Sequence, residues 1–373
     1  MKTRLKNLLF NLFLVFLSLV FSFIFIEKIV LKYFSPVTDI PRVIHIDGMT
    51  RYKPNQKGVY RLANEYSAPF SINKNGWNSH HKEYLVERNQ KLRIAIIGDS
   101  YIAGLETGYK FAIPYLLEEG LGPDEVEVYA FGIGGAHLAQ YLHIFREEVI
   151  RFNPDIVVFL IIHNDFAPSY RKVQMASGRY GGTFLTLSLL PGNSIKVVPP
   201  KPYNSFWDLL LDFRTIRFSF YQYKLRTKIS YIKNFVLDRQ YKMNVDAEGL
   251  RNNFNSDKIV ADYVVKEIAS IAEIKNINLI FAMNGDTQSI YESIPSIDPS
   301  LTLKLNAMMG EIVKNRGGDF IDLHETFKND FEVNNIKFEF KTDGHWNPYG
   351  HMKATETILN AIKRVLKMRV SMN

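Results

Sequence analysis

An α/β fold built on a doubly wound, five-stranded parallel sheet is predicted for this chain by three observations. Five short apolar runs recur between residues 92 and 323: "LRIAII" (92–97), "EVEVYAF" (125–131), "DIVVFLII" (155–162), "INLIFAM" (277–283) and "DFIDL" (319–323). Stretches of helical periodicity fall between or after them, at 109–119, 136–151, 257–275, 301–316 and 348–367. The runs are near-continuous in Val, Ile, Leu and Phe, the pattern of strands covered on both faces.

The elements before the first run have a different character. Lys2, Arg4 and Lys6 precede "LLFNLFLVFLSLVFSFIFI" (8–26), whose polar interruptions are Asn11, Ser18 and Ser22. As a helix this run would be roughly 28 Å long, close to a hydrocarbon core of about 30 Å. It ends in "FIFIEKIVLKYF", with no small-residue cleavage site, so residues 1–34 are expected to be an uncleaved anchor and not a signal peptide. Positive charge ahead of the span favours a cytoplasmic N-terminus, although Lys28 and Lys32 follow it closely. The body of the chain is then expected outside the cytoplasm, on the periplasmic side of the inner membrane. Residues 35–91 form a polar, aromatic lead-in that alternates well enough for two short antiparallel strands, with Asn75-Gly76 as a turn signal. The main domain is expected over 92–373.

Between the third and fourth strands the alternation stops over 166–256. This insert opens on "SGRYGGT", passes "VVPPKPY", and ends in a basic, aromatic segment. Residues 213–242 carry eight basic side chains against one acid, Asp238, and so account for nearly all of the net charge of +8. Nucleic acid is therefore not an expected partner, because the basic character is confined to one segment. A solvated helix face, a surface for anionic lipid and a groove for acidic glycan remain open for it. The 373 residues, 46% hydrophobic, suffice for a large core, and the absence of cysteine excludes disulfides, thiolate metal sites and cysteine nucleophiles.

In a doubly wound sheet, ligands bind at the carboxyl ends of the strands. The first strand delivers Gly98-Asp99-Ser100 there, the second Gly132-Ile133-Gly134-Gly135, and the third His163-Asn164-Asp165. After the fifth comes "TDGHWNPYGH" (342–351). A serine, a glycine turn, an Asn and an Asp/His pair are the parts of a serine acyl-transfer site: nucleophile, oxyanion donors, base and orienter. Each part also has a structural alternative. Ser100 could cap a helix, Asp99 could brace the turn, and Asn164 and Asp165 could close a strand end. The 132–135 turn lacks the spacing of a dinucleotide fingerprint or a P-loop lysine. His351 is a rival base inside the start of the last helix, and His163 is either a substrate contact or a loop histidine. His324, His345 and His351 show no recognised ligand spacing, so no metal is expected.

Four such blocks in this order resemble the SGNH (GDSL-like) hydrolases and transferases. Gly98-Asp99-Ser100 matches the first block, and Gly135 matches the oxyanion glycine, with Gly132 its neighbour and competitor. Asn164-Asp165 matches the third block, and Asp343 with His345 the last, followed by the Asn-Pro-x-Gly-His run. The resemblance covers residues 92–367 apart from the insert. Two positions depart from the pattern. Ile162 stands where the family has a glycine two places before the Asn, and Asp343 and His345 are two apart instead of three. The resulting Asp-x-His-Trp form is similar to the branch containing the alginate O-acetylation proteins.

The resemblance implies that Ser100 is the nucleophile, His345 the base and Asp343 its orienter. The oxyanion would be held by the N–H groups of Ser100 and Gly135 and the side-chain amide of Asn164. Asp99, Gly132, His163, Asp165, Trp346 and His351 would lie beside the substrate. It further implies acyl transfer to water or to a sugar hydroxyl, with O-acetyl groups of a cell-envelope or exported polysaccharide as substrate and no cofactor. A transferase would need a separate membrane protein to deliver the acetyl group. Two alternatives stay open: a lipid or small-ester hydrolase, and a catalytically silent glycan-binding or assembly protein with the same fold.

Overall fold

The computed structural model describes residues 2–62, 65–88, 91–170, 182–203, 206–223, 247–291 and 299–372. The chain divides into two units, the larger comprising Pro41–Lys57, Ala68–Tyr203 and Lys242–Asn373. The lead-in holds four strands where two were expected. β1 (Val43–Ile46) pairs antiparallel with β2 (Met49–Tyr52), and β3 (Lys57–Leu62) forms a second pair with β4 (Tyr66–Ser71).

The five expected strands form one sheet. They are β5 (Leu92–Gly98), β6 (Val126–Gly132), β7 (Ile156–Ile161), β10 (Asn278–Met283) and β11 (Asp319–Asp322), in the order β11-β10-β7-β5-β6 and parallel throughout. The remaining pair, β8 (Thr186–Leu189) and β9 (Ile195–Val198), is an antiparallel hairpin inside the insert that the sequence pattern did not reveal. The Gly-rich loop of the insert (177–183) lies largely outside the described residues, and so does the basic segment beyond residue 223.

Alternate side chains of each core strand face opposite layers. Ile94, Ile96, Val128, Val158, Leu160 and Ile280 enter one fully buried cluster with Ile113, Leu117, Phe327, Trp346, Ile358 and Ile362. Those partners come from α3 (Ile113–Leu121), from helices Leu323–Asn334 and Pro348–Met372, and from the loop before the last helix. On the other face Phe159 stacks on Phe281 at 4.7 Å and meets Phe145 at 5.7 Å. β5 has β6 on one side and β7 on the other, so the chain reverses its winding direction there. That reversal opens a crevice at the carboxyl end of β5.

Near this sheet a buried carboxylate gathers three donors. Glu118 in α3 accepts from Nε2 of His80 and of His81, each at 2.7 Å, and from the Val128 N–H at 2.6 Å. Burial pushes this carboxyl up, but the two histidines and the amide outweigh it and hold it at about 2. A depressed carboxylate contributes stability that is complete above its unfolded value and lost as pH falls through the folded one. The contribution should therefore fade between pH 4.5 and about 2. Glu118→Gln, which leaves one acceptor for three donors, should cost about 1–3 kcal/mol in denaturant unfolding at neutral pH. The difference from wild type should shrink as the pH approaches 2.

The smaller unit comprises Met1–Ile40, Gly58–Ser67 and Asn204–Tyr241. Its first helix, α1 (Lys2–Phe25), widens into π-helical turns over Ile26–Phe34. Over Thr3–Phe34 this helix is long and apolar enough to cross a membrane: its 18-residue apolar window has a mean hydropathy of 2.7 and no buried residue. Helix length and composition alone do not separate a span from a signal sequence.

Candidate active site

The turn after β5 places Ser100 at the head of the four-residue helix α2 (Ser100–Ala103). Asp99 is its N-cap, accepting the Tyr101 N–H at 2.9 Å. This tight strand-to-helix turn requires backbone proximity. A side chain on Gly132 would come within 2.2 Å of the Ala103 amide nitrogen, and one on Gly98 within 2.5 Å of Ile102 Cγ1. Gly132 is therefore the seat of α2 on β6.

His345 and Asp343 arrive from the other end of the chain, in the loop before the last helix. His345 Nε2 lies 2.8 Å from Ser100 Oγ, and its Nδ1 lies 2.5 Å from Asp343 Oδ1. A carboxylate only accepts, so Nδ1 carries the proton there, and a neutral ring leaves Nε2 free to accept from the serine hydroxyl. The His345 side chain keeps 26% exposure, so the triad opens to solvent. The two-residue spacing of Asp343 and His345 is thus competent to form the pair.

Two residues that the sequence pattern did not single out complete this arrangement. Tyr101 donates its hydroxyl to the Gly344 carbonyl at 2.7 Å, and its ring sits 5.2 Å from His345 and 4.8 Å from Trp346. Glu106, buried in the loop after α2, brings a carboxylate oxygen to 3.9 Å from His345 Nδ1. Gly104, left-handed at φ +57°, caps α2 and turns the chain ahead of Glu106. Burial disfavours the His345 cation, but the charges of Glu106, Asp343 and Asp99 outweigh it and push the imidazole up to about 9.

The glycine turn after β6 and the loop after β7 flank Ser100 because their strands flank β5. Gly134 lies against Ser100: a Cβ built there would be 3.9 Å from the serine Cβ. Gly135 adopts φ +77° with open space where a side chain would stand, so backbone freedom, and not crowding, calls for glycine there. Asn164 is exposed on the short helical turn His163–Asp165. Ile162, where the resemblance called for glycine, has φ −109° and ψ 150°, an extended conformation open to any residue.

Several residues expected beside the substrate are instead buried supports. Asp165 is 2% exposed and closes the turn, its Oδ2 accepting the Ile162 N–H and the Tyr141 hydroxyl, each at 2.8 Å. Burial and the neighbouring Asp99 push its carboxyl up. Asp99, also buried, braces the nucleophile's turn. His163 is 4% exposed and bonds Asn306 at 2.8 Å. Trp346 is fully buried, packed edge-on against Phe327 and Tyr101. His351 lies behind Trp346, and burial drives its imidazole down to about 3. The His351 ring packs edge-on against Trp346, and the imidazole bonded to Ser100 Oγ is that of His345. His324 belongs elsewhere, its Nδ1 accepting the Asp286 N–H at 3.2 Å.

No protein-family model and no curated protein matches the chain. Among solved structures it is similar to an acetyl xylan esterase, at 15% identity over 73% of this chain and 100% of that one, with a TM-score of 0.42. It is similar to an α/β hydrolase from the metagenome of Lake Arreo, Spain, at 12% identity over 72% and 94%, with a TM-score of 0.41. A catalytic mutant of an acetylxylan esterase from Geobacillus stearothermophilus gives 14% identity over 72% and 93%, with a TM-score of 0.37.

The electrostatics of the site can be measured without any substrate. An NMR titration of His345 in the full chain should show its imidazole titrating near 9. Asp343→Asn and Glu106→Gln should each move the midpoint down, since each removes a charge that favours the cation. A midpoint unchanged in Glu106→Gln would show that this carboxylate does not reach the ring electrostatically.

Proposed function

We propose that the chain is a membrane-anchored SGNH-type enzyme that transfers acyl groups through Ser100. One observation carries this: Ser100 Oγ, His345 and Asp343 lie in an unbroken hydrogen-bonded line of 2.8 and 2.5 Å, open to solvent on the serine side. Ser100 Oγ attacks the acyl carbonyl carbon and passes its proton to His345 Nε2, while Asp343 holds the tautomer and faces the imidazolium. The tetrahedral oxyanion is held by the Ser100 and Gly135 N–H groups and the Asn164 amide, which the neighbouring ends of β5, β6 and β7 bring to one crevice. Collapse breaks the ester C–O bond, and the leaving alcohol takes the proton back from Nε2. Water or a sugar hydroxyl then attacks the acyl-serine by the same route, which makes esterase and O-acetyltransferase two outcomes of one site.

An O-acetyl group on a cell-envelope or exported polysaccharide is the proposed substrate, supported by the Asp-x-His-Trp form and by the apolar N-terminal helix. That helix is proposed as an inner-membrane anchor with the site on the periplasmic face. Its C-terminal end is built into folded structure, with Glu27 and Leu31 both buried, which supports retention over cleavage. In the transferase case a separate membrane protein would supply the acetyl group.

The test is acetate release from an activated aryl acetate and from acetylated oligosaccharides, by the full chain in detergent. Ser100→Ala should abolish it, and a rate equal to wild type would refute the proposal. Asn164→Ala should lose about 100- to 1000-fold in kcat, or ~3–4 kcal/mol, as expected for one oxyanion donor. Because the neutral imidazole is the base, kcat/KM should climb with pH along a limb centred near 9. Glu106→Gln should move that limb to lower pH. Acetyl transfer to an added oligosaccharide would assign the transferase outcome.

A further inference from the structure

We propose that residues Phe206–Tyr223 lie in the headgroup region of the bilayer, where they form an amphipathic collar beside the end of α1 that faces lipid. The proposal rests on the anchor reading above, and the supporting contacts all lie within the smaller unit.

Glu27 follows the apolar run directly, where an unsatisfied carboxylate would be costly. It is buried and accepts the Arg214 N–H at 2.5 Å, the Thr215 N–H at 2.9 Å and the Thr215 hydroxyl at 2.8 Å. These bonds fix residues 214 and 215 at the depth of Glu27. Phe213 meets Phe23 at 6.1 Å. With 1.5 Å of rise per residue, Phe23 lies about 6 Å before Glu27, inside the edge of the apolar run. Phe213 is therefore held at the hydrocarbon boundary.

The C-terminal half of the segment is inverted relative to a water-facing surface. Two of its polar side chains turn inward: Gln222 accepts the Thr38 N–H at 2.8 Å, and Arg217 donates to the Thr38 carbonyl and to Asp39, each at 3.0 Å. Four of its large apolar side chains turn outward, with Leu209 64% exposed, Phe220 48%, Phe213 44% and Tyr223 43%, while Leu211 packs inward. Single exposed apolar residues are ordinary, but four within fifteen positions, bonded to the end of an apolar helix, form a surface continuous with it. Lys28 and Lys32 are exposed at the same end of that helix, as are Tyr33 and Phe34. Cations and aromatic rings at that level suit anionic headgroups and the membrane interface. An apolar face so placed would sit about 5–10 Å into the headgroup–acyl boundary.

The absence of cysteine makes the test direct. Phe16→Cys, Leu209→Cys, Phe220→Cys and Ile274→Cys would each be labelled with bimane in the full chain and reconstituted into phosphatidylcholine–phosphatidylglycerol vesicles. Folding of each would be checked by circular dichroism. Nitroxide lipids would carry the quencher near the headgroup or deep in the acyl chain, and iodide would report water. The expected result is loss of emission at 209 and 220 with the shallow nitroxide, loss at 16 with the deep one, and quenching at 274 by iodide alone. If 16 is quenched by lipid while 209 and 220 respond to iodide as 274 does, the collar is refuted and the anchor stands. If 16 itself responds to iodide, the anchor fails and the collar fails with it.

Discussion

The hydrogen bond from the Tyr101 hydroxyl to the Gly344 carbonyl is the constraint on which the site depends. Ser100 and His345 are separated by 245 positions in the chain, and their 2.8 Å contact needs both partners held from behind. On one side, β5 and the N-cap Asp99 fix the nucleophile's turn. On the other, His345 sits outside the five-stranded sheet, on a loop closed by a local antiparallel bridge. Tyr101 joins the two, because the residue directly after the nucleophile bonds the residue directly before the base. Asn347 secures the loop's far end, donating to the Lys337 and Glu339 carbonyls and capping the last helix through the Tyr349 and Gly350 N–H groups.

Charge is distributed as unevenly as the hydrogen bonds. Three carboxylates, Asp99, Glu106 and Asp343, act on one imidazole and raise it to about 9. Burial drives His351 and His137 down to about 3 and lowers His163 as well. Proton affinity is thereby concentrated on the one ring that touches the serine. A raised histidine also stabilises the fold: its contribution is complete below the ordinary value of 6.5 and lost as pH rises through about 9. The pH that frees the base for chemistry therefore also relaxes the charge balance that holds its loop.

Most of the architecture was legible in the sequence because it is written in backbone requirements. The five strands announce themselves by apolar runs, and the observed bounds fall within a residue of those runs. The Gly-Asp-Ser turn and the glycine turn are legible because close approach of α2 to β6 leaves no room for a Cβ at Gly98 or Gly132. What stayed hidden depends on tertiary placement alone. Glu106 is one acid among many until the fold brings it to 3.9 Å from the base. The hairpin Thr186–Leu189 and Ile195–Val198 is two four-residue strands, too short for periodicity to register. Asp165 and His163 were drawn toward the substrate by adjacency to Asn164, yet successive residues in that tight turn face opposite ways, and only Asn164 faces out.

The same geometry gives the Asp-x-His-Trp form its physical meaning. Residues 338–340 and 345–347 run antiparallel, and 341–344 is the turn between them. Asp343, buried in that turn, accepts the His345 N–H at 3.3 Å and pairs with its ring, while Trp346 points into the core at 0% exposure. The turn is closed by an antiparallel bridge between Glu339 and Trp346, by the Phe340 N–H to the His345 carbonyl at 3.1 Å, and by the Asn347 N–H to the Phe338 carbonyl at 2.7 Å. The indole, wedged against Phe327 and Tyr101, is what keeps that segment in register. A large apolar residue directly after His345 is thus an anchor for the pair in front of it, and the two-residue spacing lets Asp343 fold back from the turn onto the His345 N–H and ring.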